Sequence, residues 1–142
     1  MRICSPYVCI LFAIAFIGCR DYGDEPAYID NSSPYPTHIA YNYKSYDSLG
    51  ALSATGLMFV TIYNSRVTGS WMFDDGRQGT LAGTYDKGTI QVDLYPGYAD
   101  HNLILTGKMN GEIYSGDWVM YGWAILGRGR FVATVNHDVI ID

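Results

Sequence analysis

The chain has no cysteine after residue 19. Its three cysteines are Cys4, Cys9 and Cys19, and the 123 residues that follow contain none. A domain formed by those residues has no disulfide, so its stability must come from packing and backbone hydrogen bonds. Long helical hydrophobic patterns are also missing, which argues against an all-helical fold.

Positive charge is scarce. The chain has 9 Lys and Arg against 14 Asp and Glu, and its formal net charge is −5. An acidic surface repels both nucleic acid and anionic lipid. We therefore expect no nucleic-acid partner and no electrostatic attachment to a membrane.

Motifs that identify an enzyme are absent. No GxSxG, HExxH, CxxC or P-loop pattern occurs, and none of the three histidines has another metal ligand at a suitable spacing. The prediction is a protein without catalytic residues, metal or cofactor. One alternative stays open, because a pair of carboxylates from Asp93, Glu112 and Asp117 would suit glycoside hydrolysis.

The N-terminus has the pattern of an export signal. Arg2 gives a short basic region, residues 7–17 (YVCILFAIAFI) are apolar, and the chain becomes polar from Arg20. A small residue, Gly18, precedes the expected cleavage site. The apolar stretch up to Gly18 has 12 residues, whereas a spanning helix needs about 20. An uncleaved membrane anchor is therefore disfavoured.

Cys19 directly follows that glycine. The sequence Phe16-Ile17-Gly18-Cys19 resembles the lipobox of bacterial lipoproteins. The resemblance implies cleavage by signal peptidase II after a signal peptide of residues 1–18, followed by lipidation of Cys19. It implies a protein of the bacterial cell envelope, anchored by lipid to the outer membrane and facing the periplasm or the surface. The alternative is an ordinary secretory signal, but a lone free thiol on an exported protein is a liability.

Cleavage at that point leaves 124 residues, enough for one domain. Residues 19–37 combine acids, Ser, Asn, Gly and Pro without an apolar period, which predicts a flexible tether that spans about 20–25 Å. The acids after Cys19 resemble the surface-export signals of some lipoproteins, although a solvated spacer explains them equally well. The folded domain is predicted over residues 38–142, as a monomer.

From Ile39 onward apolar residues recur with a period of two, and turn signals separate the runs. This pattern predicts an all-β fold. Residues 50–55 fit either a loop or the start of a strand, and Asn110-Gly111 is the strongest hairpin signal. Strands are predicted at 57–63, 67–73, 79–85, 89–95, 102–109, 112–121 and 128–135, with an eighth at 39–43.

A glycine recurs in the middle of these strands, flanked at two-residue steps by an apolar and a large residue. Alternation places all three on one face, which is apolar, while the opposite face is polar. Inward glycines let strands bend and let a large ring lie over bare backbone, as a small closed barrel requires. We therefore predict a single antiparallel meander β-barrel of seven or eight strands, in preference to a two-sheet sandwich. The repeats are Val67-Gly69-Trp71, Leu81-Gly83-Tyr85, Leu105-Gly107-Met109 and Tyr114-Gly116-Trp118.

These hairpins resemble those of lipocalin-like and avidin-like barrels. The resemblance covers about residues 57–135 and implies the fold, but the avidin ligand residues do not map onto this chain. A transmembrane barrel is disfavoured, because its outer band would be apolar. The motifs that carry the resemblance are GSW (69–71), AGTY (82–85), LTGK (105–108) and SGDW (115–118).

Aromatic residues are the candidates for contact with a partner or ligand. Residues 120–126 (MYGWAIL) break the alternation, so Tyr121 and Trp123 are expected near one rim, either as contacts or as a plug of the barrel end. Trp71, Tyr85 and Trp118 would line an open interior. An open cup favours a small apolar or glycan ligand, whereas a filled interior favours a macromolecular partner. The bulky strand residues favour the filled interior and hence the interaction protein.

Overall fold

The computed structural model describes residues 34–98 and 100–139. The described residues form eight β-strands and contain no helix, so none of their segments is a helix that could span a membrane. The predicted signal peptide, Cys19 and most of the predicted tether lie outside the described residues. The strands are β1 (Thr37–Asp47), β2 (Leu52–Tyr63), β3 (Arg66–Phe73), β4 (Gln78–Asp86), β5 (Thr89–Asp93), β6 (Asn102–Asn110), β7 (Ile113–Tyr121) and β8 (Ile125–Val135).

The eight strands form one closed barrel in which every strand pairs antiparallel with its neighbour in the chain. β1 also pairs with β8, in a register that runs from Tyr41 opposite Val135 to Asp47 opposite Gly129. Closure removes the free edges that would otherwise pair with other chains. The predicted all-β meander barrel is therefore confirmed, with eight strands, and the two-sheet sandwich is excluded.

Most predicted strands agree with the observed ones, and the differences lie at their ends. The ambiguous segment 50–55 becomes strand from Leu52 onward, and β1 is much longer than the predicted 39–43. β5 ends at Asp93 because the Asp93 carboxylate accepts a hydrogen bond from the Tyr95 backbone, a local bond that competes with the sheet ladder.

Tight turns close the hairpins at one end of the barrel. Lys87 (φ 45°) and Gly88 (φ 83°) connect β4 to β5, both in the left-handed region, as a type I′ turn requires. The turn between β6 and β7 consists of residues 111–112, one position later than the Asn110-Gly111 signal indicates. Asn110 still pairs with Ile113, and Gly111 takes the positive φ of 58°.

Alternation along the strands separates the core from the surface as the sequence predicts. Trp71 and Leu81 are 2% exposed, and Tyr85 and Leu105 are fully buried. The residues of the predicted polar face are all exposed or half-buried, which is opposite to the alternation of a transmembrane barrel. They are Thr68, Ser70, Thr84, Gln91, Asp93, Thr106, Lys108, Ser115, Asp117 and Thr134.

Aromatic rings fill the interior. The ring centroids of Trp71 and Phe73 are 4.5 Å apart, and those of Tyr114 and Phe131 are 4.7 Å apart. Tyr43 stacks on Phe73 with a centroid distance of 5.4 Å. An eight-stranded barrel is just wide enough for its own side chains, and here these rings occupy that space.

The glycines on the inner face allow neighbouring backbones to approach closely. Gly107 lies opposite Gly116 across β6 and β7. A Cβ on Gly116 would overlap the carbonyl oxygen of Thr106, and a Cβ on Gly107 would lie 3.0 Å from the Phe131 ring. A ring therefore lies over bare backbone at Gly107, which agrees with the role predicted for the recurring glycine.

Candidate functional site at the loop end of the barrel

The two ends of the barrel differ in their connections. One end, which we call the turn end, carries the two-residue turns 64–65, 87–88 and 111–112, the start of β1 and the end of β8. The opposite end, the loop end, carries the longer connections 48–51, 74–77, 94–101 and 122–124. Loops held by a rigid scaffold are the usual positions for binding residues.

Exposed apolar side chains concentrate at the loop end. Among the residues that the structure describes, seven of the twelve exposed large hydrophobic side chains lie there, and Trp123 is the most exposed of the twelve at 95%. Because β1 pairs with β8, the β1–β2 loop and the β7–β8 hairpin are neighbours on this rim. We call these seven residues the apolar rim: Leu49, Leu52, Tyr98, Tyr121, Trp123, Ile125 and Leu126.

Trp123 occupies the tip of the β7–β8 hairpin. A register shift between Met120 and Tyr121 precedes the tip, and the Gly122 backbone donates a hydrogen bond of 2.8 Å to the Ala124 carbonyl. A bulge of this kind re-aims the side chains that follow it. The exposure of Trp123 and the 44% exposure of Tyr121 exclude the alternative that these two residues plug the barrel end.

The other three predicted contact residues lie deeper. Trp71 is buried, and its indole nitrogen donates to the carbonyl oxygens of Leu94 at 2.7 Å and Thr80 at 3.1 Å. Tyr85 is fully buried. The structure therefore removes Trp71 and Tyr85 from the set of accessible contacts, because alternation directs both into a filled core rather than into an open cup.

Trp118 lies at the mouth of the barrel, beneath the rim. It is half-buried, and its indole nitrogen donates to the Tyr46 carbonyl oxygen at 2.8 Å. Together with Tyr43, Phe73 and Met120 it lines a cleft of about 180 Å³ that opens at the loop end. A second cleft of about 440 Å³ lies beside it under residues 94–98 and shares Met120.

Arg77 is a mouth residue that sequence reasoning did not identify. Its guanidinium lies 5.3 Å from the centroid of the Phe73 ring and forms an ion pair of 2.7 Å with Asp75. This pairing lowers the pKa of Asp75 and raises the pKa of Arg77. The sequence indicated only a hairpin turn here, and no local pattern shows that the turn places a cation over an aromatic ring.

Burial shifts the acidity of the tyrosine below this cation. The pKa of Tyr43 is raised to about 12 because the hydroxyl is removed from water, and a hydrogen bond with Ser45 partly offsets the rise. Tyr43 is therefore neutral at physiological pH. It presents a hydroxyl group rather than a phenolate to the mouth.

Two of the three carboxylates suggested for a hydrolytic pair, Asp93 and Glu112, lie at opposite ends of the barrel, and the third, Asp117, lies on β7, separated from the strand of Asp93 by β6. Glu112 lies at the turn end, where it pairs with His137 at 3.0 Å, while Asp93 lies near the loop end and accepts hydrogen bonds from Tyr95 and Asn102. Among the described residues no group of three His, Cys, Asp or Glu side chains is arranged to hold a metal ion.

Comparison of the chain with protein-family models, with curated proteins and with solved structures finds no match.

Proposed function

We propose that this chain is a lipid-anchored protein of the bacterial cell envelope that acts without catalysis, by binding a macromolecular partner through the apolar rim. The observation that carries the proposal is the exposure of the rim, with Trp123 at 95% and Leu49 at 91%. Large apolar surface rimmed by polar residues marks interaction sites on proteins. Tryptophan is also the side chain most enriched among binding hot spots.

The filled interior supports a macromolecular partner over a small ligand. The rings of Trp71, Phe73 and Tyr43 occupy the upper barrel, and Tyr114 and Phe131 occupy the space below. A ligand held inside the barrel would have to displace these side chains from a closely packed core. Binding on the rim requires no such displacement.

The direction of the chain supports an arrangement in which the rim faces away from the anchoring membrane. β1 starts at Thr37, at the turn end, so the segment that leads back to Cys19 joins the barrel at the end opposite to the rim. With lipid on Cys19, the proposed tether would attach the turn end to the membrane. The rim would then remain accessible to a partner in the periplasm or outside the cell.

Lipidation is tested by metabolic labelling with a fatty-acid analogue. We expect the wild-type chain to carry the label and to partition with membranes, and Cys19→Ala to lose both properties because the acceptor thiol is gone. The variant leaves every barrel residue unchanged, so far-UV circular dichroism should be the same for both. Label that persists in Cys19→Ala would rule out the anchor.

Binding through the rim is tested by photocrosslinking in the cells that produce the full chain. A photoreactive phenylalanine analogue replaces Trp123 in one variant, and in the control it replaces Tyr63, which is 46% exposed at the turn end. We expect a distinct macromolecular adduct from position 123 alone. Trp123→Ala should weaken capture of that partner about thirtyfold or more, as expected for a hot-spot residue. Identical adducts from both positions would contradict the proposal.

A second candidate function is binding of a small apolar or glycan ligand, and the mouth favours it. The 180 Å³ cleft is lined by Tyr43, Phe73 and Trp118 and has the Arg77 guanidinium beside it, which suits a flat ligand with an acidic group. Native mass spectrometry of the chain released from the envelope distinguishes the two candidates. A retained small molecule that disappears in Trp118→Ala would place ligand binding ahead of the macromolecular partner.

A further inference from the structure

A long groove crosses the outer wall of the barrel, away from the rim. Its volume is about 770 Å³, and its lining runs from Tyr46 on β1 across β8, β7 and β6 to Thr89 at the start of β5. Neighbouring strands lie about 4.8 Å apart, so the groove extends about 19 Å around the wall. Its shape therefore suits an extended ligand rather than a compact one.

Backbone and short polar side chains form the floor of this groove. Gly107 and Gly116, paired across β6 and β7, lie in its lining, and both belong to the inward-facing set, so only their backbone reaches the outer wall. The flanking outward residues Thr106 and Ser115 add hydroxyl groups that both donate and accept hydrogen bonds. The floor is thus polar, with groups that match the hydroxyls of a sugar.

The groove is locally cationic in a chain whose net charge is −5. Lys108 and Arg130 belong to its lining. One cation and one acid flank it, because Lys44 is paired with the lining residue Val132 and Asp86 with the lining residue Thr89, so cations still outnumber acids. The ion pairs of the described residues, Arg77 with Asp75 and His137 with Glu112, involve none of these three cations.

One carboxylate and one aromatic ring complete the lining. Asp117 lies opposite both Arg130 and Thr106, so a cation, an acceptor and a hydroxyl group follow one another along one line across the strands. Tyr46 closes the line at β1, opposite Arg130, and is half-buried. A single acid at the centre disfavours a polyphosphate, whose every unit is anionic, but it suits a ligand rich in hydroxyl donors.

We propose that this groove binds an acidic oligosaccharide, a chain of sugar rings that carries carboxylate groups. Lys108 and Arg130 pair with the carboxylates, Asp117 and the Thr106 hydroxyl bond the ring hydroxyls, and the Tyr46 ring contacts the apolar face of a sugar. The site lies on the side wall and is separate from the rim. It therefore does not depend on the function proposed for the rim.

The test is calorimetric titration of the full chain in detergent with a hexamer of galacturonic acid. We expect saturable binding that weakens as salt is raised. Lys108→Ala combined with Arg130→Ala should weaken binding about a hundredfold, roughly tenfold for each lost charge-assisted bond. Arg66→Ala removes a charge from β3, a strand that does not line the groove, and this control should change the affinity less than about threefold.

Further probes separate a sugar site from a simple anion site. Thr106→Val removes one exposed hydroxyl without changing the charge. It should weaken binding of the acidic hexamer severalfold while leaving the melting temperature of the protein unchanged. A neutral glucose hexamer should bind more weakly than the acidic hexamer. Inorganic phosphate or a short single-stranded DNA that binds as tightly as the acidic hexamer would overturn the proposal. A loss of affinity in Arg66→Ala as large as the loss in the double variant of Lys108 and Arg130 would also overturn it.

Discussion

Tyr41 is fully buried on β1, and its hydroxyl oxygen has no hydrogen-bond partner among the described residues. The neighbouring Tyr114, whose ring centroid is 6.2 Å away, donates its hydroxyl to the Ile90 carbonyl oxygen at 3.3 Å. The two neighbouring tyrosines thus differ in whether the hydroxyl group has a hydrogen-bond partner. An unsatisfied buried hydroxyl costs about 1–3 kcal/mol, whereas a satisfied one contributes about 1 kcal/mol.

We therefore expect opposite effects from the same substitution at these two positions. Tyr41→Phe should raise the free energy of unfolding by about 1 kcal/mol, because it removes an unsatisfied polar group without creating a cavity. Tyr114→Phe should lower it by about 1 kcal/mol, because the Ile90 carbonyl oxygen loses a donor. Urea unfolding followed by circular dichroism measures both. Equal destabilisation by the two variants would mean that the Tyr41 hydroxyl has a partner after all.

At the scale of the strands, the glycine pair between β6 and β7 allows the two backbones to approach closely. Gly116→Ala should destabilise the barrel by about 2–4 kcal/mol, since the new methyl group would overlap the Thr106 carbonyl oxygen and backbone cannot move aside cheaply. Gly111→Asn is the matched control. Nothing lies within 4 Å of a Cβ at Gly111, and Asn tolerates its φ of 58°.

The control should cost less than about 1 kcal/mol in the same urea experiment. If Gly116→Ala proved no more harmful than Gly111→Asn, the close approach of β6 and β7 would not be required for the fold. If both variants were severely destabilised, the turn rather than the strand pair would limit the barrel. The two substitutions therefore distinguish a requirement for close strand packing, at Gly116, from a requirement for the positive φ of the turn, at Gly111.

For the whole molecule, three buried tyrosines predict unfolding at alkaline pH. Burial raises the pKa values of Tyr41, Tyr43 and Tyr114 above the ordinary value of 10.0, to about 12 for Tyr43. Above pH 10 the unfolded chain loses phenolic protons that the folded chain retains. The contribution of the neutral buried tyrosines to stability is therefore fully present below pH 10 and is lost as pH rises towards 12. For Tyr43 the full loss is about 3 kcal/mol.

The measurement is the urea midpoint together with tyrosinate absorbance as pH is raised. We expect a group of tyrosines to ionise only as circular dichroism reports unfolding. In Tyr43→Phe the free energy of unfolding should fall less steeply as pH rises above 10. The difference in slope from the wild type should be about 1.4 kcal/mol per pH unit. Ionisation of all thirteen tyrosines near pH 10 in a folded barrel would contradict this expectation.

The sequence was sufficient to predict the type of fold and its inner face. Two-residue alternation decides which side chains point inward, and recurring inward glycines favour closure, so the pattern alone assigns Trp71, Leu105 and Phe131 to one core. Strand ends were less predictable. Asp93 ends β5 through a local hydrogen bond from the Tyr95 backbone, which the alternation does not reveal. The turn after β6 consists of residues 111–112, because Asn110 still pairs with Ile113.

The candidate sites needed the tertiary structure. The sequence indicated two tryptophans as candidate contacts, Trp71 by its place in the alternation and Trp123 by the break in it. Only the packed barrel shows that the first indole is buried and the second is 95% exposed. The positions of Arg77 over Phe73 and of Lys108 near Arg130 depend on strands that are distant in sequence. Local sequence determines the face on which a side chain lies, whereas register and barrel closure determine which other side chains it meets.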